Sequence, residues 1–167
     1  MDFQKELIAE YDREVAKTRK MLEAIPADAD FTWKPHPKSM SLGKLAGHIT
    51  DMTGEWALST LNKDKLEFAA DHKWEQYVPE SKAALLKKLE QEQLGVREAI
   101  AKLTPEKWDQ HWQFIFGGQK WIDQPRIQVF RDMVMNHLVH HRAQLGVYLR
   151  LLDKPIPGTY GPSADEM

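Results

Sequence analysis

The sequence predicts an all-α fold: an antiparallel four-helix bundle with a short hairpin or extended segment ahead of the last helix. Three observations predict it. Apolar residues recur at helical spacing in four long stretches, and Pro, Gly and Asp cluster between those stretches. No internal repeat or Ser/Gly linker interrupts the 167 residues, so residues 1–167 are expected to form one domain. With 42% hydrophobic and 29% charged residues, the chain has the material for a substantial core.

The first helix is expected from about Phe3 to Ile25, carrying Leu7, Tyr11, Val15, Thr18 and Leu22 along one side and ending at Pro26. The second begins near Ser41, with Ser39 or Ser41 as N-cap, and carries Leu45, His48, Ile49, Met52 and Trp56 toward Leu61. Gly43 and Gly47 weaken it. A third covers about Pro79 to Leu103, where Thr104-Pro105 ends it, and the fourth runs from about Gln124 to Leu152 with Pro125 near its start. Residues from about Asn62 to Val78 mix polar and aromatic side chains without a period, as a rim beside a pocket would. Between Trp108 and Ile122, alternating Trp112, Phe114 and Phe116 precede Gly117-Gly118, the pattern of a short hairpin, with a plain loop as the alternative.

Charge and composition exclude several function classes. The net charge is −2 and no basic run interleaves with aromatics, so no nucleic-acid partner is expected. There is no cysteine, hence no disulfide, thiolate ligand or Cys nucleophile. No run reaches the roughly 18 apolar residues of a membrane span, and the chain opens on a charged amphipathic segment. A cytoplasmic protein without a membrane partner is the expectation.

Three histidines carry the chemistry. His137 and His141 form an HxxxH, and residues four apart on a helix share a face and can share a metal ion. They fall on the stripe of Phe130, Val134, Tyr148 and Leu152, so their imidazoles point inward, whereas His140 falls toward the helix edge. His48 sits among Leu45, Ile49 and Met52, again on an apolar side. Hydrogen-bonded core histidines are the competing reading, but burying three imidazoles without a common partner carries a desolvation cost.

The segments Phe31-Thr-Trp33-Lys-Pro35, Ser39-Met-Ser-Leu-Gly-Lys-Leu-Ala-Gly-His48 and His137-Leu-Val-His-His141, followed by Gln144-Leu-Gly-Val-Tyr148-Leu, resemble the DinB/YfiT-like family over most of the chain. The resemblance implies a four-helix bundle in which His48, His137 and His141 bind one divalent metal ion, nickel or zinc, and a homodimer. It also implies a metal-dependent enzyme that uses a low-molecular-weight thiol on a small-molecule substrate, as an S-transferase or related detoxifying activity. Three protein ligands leave a coordination position open for a substrate thiolate or water. A metal-dependent hydrolase and a non-enzymatic metal-binding stress-response module are the alternatives. Asp51 and Glu55, one and two turns beyond His48, and Gln144, three residues beyond His141, are the candidate helpers for orientation or proton transfer. Trp56, Trp112 and Trp121 are candidates for an apolar pocket wall, while His36, His72 and His111 receive no catalytic role.

Overall fold

The computed structural model describes residues 2–167. Helix α1 (Phe3–Glu23) starts where the Asp2 carboxylate accepts the Lys5 N–H, and it buries Leu7, Tyr11, Val15, Thr18 and Leu22, the stripe expected from spacing. Ser41 rather than Ser39 caps α2 (Leu42–Thr53), its hydroxyl accepting the Lys44 N–H at 3.2 Å. The helix stops at Gly54 (φ −116°, ψ −86°), and a separate helix α3 (Glu55–Asn62) continues the path. The Tyr11 hydroxyl donates to the Thr53 carbonyl at 2.6 Å, satisfying one of the acceptors freed at that break.

Strand β1 (Lys65–Phe68) follows, then α4 (Lys82–Lys102), which Ser81 caps slightly later than the Pro79 start that composition suggests. Thr104 caps a short helix α5 (Pro105–Asp109) instead of simply ending α4. The hairpin expected before the last helix is present as β2 (His111–Phe116) and β3 (Gln119–Pro125). Its turn places Gly117 and Gly118 at φ 58° and 77°, the left-handed pair that a two-residue hairpin turn needs. The last helical run has three parts: α6 (Arg126–Val129), a wide π-helical segment (Phe130–Asn136) and α7 (His137–Leu151).

An all-α class is therefore incorrect. Over the described residues the structure is 56% helical and 10% strand, the strand residues forming one mixed three-stranded sheet in the order β1-β2-β3. β1 runs parallel to β2, with Leu66 opposite Phe114 and Phe68 opposite Phe116, while β2 and β3 are antiparallel. The partner of β1 is separated from it by α4 and α5, and a parallel pair needs such a crossover. Four residues with no local partner carry too little pattern to announce a strand. Pro125, expected near the start of the fourth helix, is both the last residue of β3 and the N-cap of α6, and its missing N–H costs least at the strand terminus.

Helix α1 packs on α4 and α7, α2 on α7 and α4, and α3 on α4, around a shared apolar cluster that includes Tyr11, Ile49, Leu89, Phe130 and Leu145. Two fully buried arginines fasten this arrangement. Arg142 on α7 donates to the Glu14 carboxylate (2.7 Å), the Glu14 carbonyl (3.0 Å), Thr18 Oγ1 (3.2 Å) and the Tyr160 hydroxyl (2.8 Å), tying α7 to α1 and the C-terminal segment. Arg126 donates to the backbone carbonyls of Thr60, Lys63 and Lys107 and to Asp64.

The glycine in front of His48 has a packing reason. A Cβ at Gly47 would lie 2.0 Å from the Tyr77 carbonyl oxygen, so only glycine lets the segment before α4 cross α2 this closely. Gly47→Ala is expected to cost about 1–3 kcal/mol by overpacking against backbone. Urea unfolding measures the loss, and faster amide exchange around Tyr77 locates it.

Candidate metal centre

The packing of α2 on α7 brings the three predicted histidines together. One ring nitrogen from each of His48, His137 and His141 lies within 4.8 Å of the other two. The Nε2 atoms of His137 and His141 are 2.7 Å apart, and the His48 ring stands edge-on to both, with centroids 5.3 and 4.5 Å away. His137 is the first residue after the π-helical segment. Its backbone N–H bonds to the carbonyls of Asp132 and Val134, passing over Met133, the partner an α-helix would use. That wide turn shifts the register of all that follows and so sets where the HxxxH faces.

All three imidazoles are held neutral at pH 7. Burial, reinforced by His141 and His137, pushes the His48 pKa down from 6.5 to about 4. Burial also lowers His137 and His141. Gln144 fixes the proton on His141: its Oε1 is 2.7 Å from Nδ1, while its amide nitrogen is 3.0 Å from His140 Nε2. These partners assign Nδ1–H to His141 and leave its Nε2 lone pair facing His137. His137 Nδ1 is buried without a hydrogen-bond partner, and the Met133 backbone favours the protonated ring. The 2.7 Å approach of the two Nε2 atoms is a hydrogen bond when His137 carries its proton on Nε2; with that proton on Nδ1, both lone pairs are free to face a shared cation. This donor set fits a metal ion of the kind that imidazole binds.

The helper candidates separate. Asp51 and His48 line the same cavity, about 400 Å³ in volume. Burial raises the Asp51 pKa, Lys88 opposes the rise, and the two side chains are 3.2 Å apart. Glu55 is exposed and borders a different cavity, beside Glu92 and Lys63, so the structure does not place it with the histidines. Gln144 contacts the triad directly. Asn136 reaches Asp132, at the surface, and His140 is exposed as its helical position predicted.

The sequence matches the DinB superfamily profile over residues 10–145. The chain belongs to the DinB superfamily. A crystal structure of a DinB-like protein from Bacillus cereus ATCC 10987 shares the fold, with a TM-score of 0.66 and 22% identity over 90% of this chain and 93% of that one. No protein of curated function matches.

Several residues of this DinB-superfamily site were missed from the sequence. The cavity at His48 has walls of Trp74, Phe114 and Phe116 as well as the expected Trp56 and Trp121, with Glu75 and Gln76 as further polar groups. Trp74 to Gln76 belong to the aperiodic stretch expected to form a rim, and Phe114 and Phe116 share a sheet face because strand side chains alternate. Trp112, expected in the pocket wall, is fully buried and does not line the cavity. No helix of this DinB-superfamily protein, among the described residues, is long and apolar enough to cross a membrane.

Proposed function

We propose that His48, His137 and His141 hold one divalent metal ion, nickel or zinc, and that the protein is a metal-dependent enzyme using a low-molecular-weight thiol. An S-transferase or related detoxifying reaction is the form this takes. The observation that carries the reading is the convergence of three neutral imidazoles beside a cavity, with no fourth protein ligand in the cluster among the described residues. When bound, such an ion supplies Lewis acidity, lowering the pKa of a thiol so that it reacts as thiolate at neutral pH.

The chain's own residues have distinct parts in this scheme. Gln144 holds the His141 ring in the tautomer that turns Nε2 inward. The aromatic walls give the space beside His48 an apolar lining. Asp51, in that wall and biased toward its protonated form by burial, can hold or accept a proton from the reacting molecule. His48→Ala is expected to abolish thiol-dependent turnover of an electrophilic substrate; unchanged turnover refutes the assignment. Gln144→Leu is expected to weaken metal binding about 10–100-fold while the fold persists, as read by competition against a chromophoric chelator.

A second reading is favoured by the placement of Asp51. A carboxyl group beside His48 is also suited to taking a proton from water, which turns the same centre toward hydrolysis. Ester or amide turnover without added thiol supports hydrolysis, whereas strict thiol dependence supports transfer.

A further inference from the structure

The cavity at His48 is built for a particular kind of molecule. Trp56 comes from α3, Trp74 from the segment before α4, Phe114 and Phe116 from β2, and Trp121 from β3, so four parts of the chain deliver aromatic rings to one space. The rings are arranged as a connected wall. Trp74 lies nearly parallel to Phe116, with centroids 6.2 Å apart and planes 25° apart, and 6.1 Å from Phe114. Trp56 adjoins Phe114 at 6.0 Å, and Trp121 stands perpendicular to Phe116 at 6.5 Å. Trp74 and Trp121 are nevertheless 49% and 67% exposed. Two tryptophans left in water beside an apolar cavity of about 400 Å³ provide stacking surface for a ligand of drug-fragment size.

Charge narrows the class further. Asp51 and Glu75 are the charged side chains in the wall, and neither Lys nor Arg lines it. The nearby Lys88 is engaged with Asp51 and Glu92, and Lys120 with Asp123 at 2.9 Å. Glu75 opposes an anion, Asp51 being paired with Lys88, and under the metal-dependent reading a divalent ion at the histidines would oppose a cation. From the aromatic wall and this balance we infer that the cavity binds an uncharged, flat aromatic molecule, the second reactant beside the metal centre. The assignment of this molecule as a reactant and the exclusion of a cation rest on the metal-dependent reading above; the preference for a flat aromatic molecule over an anionic or saturated one does not.

Calorimetric titration with three probes of one size tests this: 1-naphthalenemethanol, 1-naphthalenesulfonate and the saturated decalin methanol. The uncharged aromatic probe is expected to bind about tenfold or more tighter than either of the others, and Trp74→Ala and Trp121→Ala are each expected to weaken it about fivefold to tenfold. Equal affinity for all three probes overturns the inference. So does an unchanged affinity in both variants, including the case where sedimentation shows that the two tryptophans pack against a second copy of the chain. The His137→Ala/His141→Ala variant is expected to retain probe binding. Retention there with no metal bound to the wild type separates failure of the metal centre from failure of the cavity assignment.

Discussion

Replacing Arg126 with alanine is expected to lower the free energy of unfolding by about 3–5 kcal/mol, because carbonyls that lose their donor cost about 1–3 kcal/mol each where they stay buried. Arg126 is 1% exposed, and its guanidinium serves the carbonyls of Thr60 and Lys63 at the end of α3 and that of Lys107 in α5. Without it, acceptors at the junction of α3, α5 and the sheet lose their donor. The ion pair is the lesser part of the effect: Asp64, 2.6 Å away, has a side chain 58% exposed. Asp64→Asn should therefore cost less than about 1 kcal/mol. Urea denaturation of the two variants checks both values, and equal losses would mean that the ion pair, not the carbonyl contacts, holds the junction.

The second large effect concerns ligand linkage. A metal that binds the folded triad and not the unfolded chain stabilises the protein by about 2.7 kcal/mol at a free concentration one hundred times its Kd. Nickel or zinc is expected to raise the melting temperature of chelator-treated wild type, and His48→Ala is expected to remove that rise. The metal-free protein should also be acid-sensitive in a defined window. His48 takes up a proton near 6.5 when unfolded but only near pH 4 when folded. Between those values the unfolded chain binds more protons, so stability falls as pH drops from about 6.5 to 4. His48→Gln should flatten that part of the pH profile. An unaltered slope would mean that other groups produce it.

What the sequence revealed follows from the range of each interaction. His137 and His141 are one helical turn apart, and the apolar spacing that follows them within α7 is enough to turn them inward; His48 shares an apolar face with Ile49 and Met52. All three reach the same point because α2 and α7 pack together, a contact that local pattern suggests but cannot fix. β1 was hidden because its pairing with β2 crosses two helices. The π-helical turn before His137 leaves no signature in residue types, yet it changes which face follows. Arg126 and Arg142 resemble ordinary surface cations until distant carbonyls and Glu14 are brought to them. Glu55 follows His48 by two turns, but the break at Gly54 intervenes and Glu55 borders a separate cavity. The aromatic wall was legible only as an excess of Trp and Phe in aperiodic segments, because its members meet through tertiary contacts.

The most direct test of the metal centre is elemental analysis of untagged wild type beside the His137→Ala/His141→Ala variant, after both are supplied with divalent ions. About one nickel or zinc ion per wild-type chain and none in the variant is the predicted result. No bound ion in the wild type, or equal content in both proteins, would contradict it and leave the three histidines as polar members of the core.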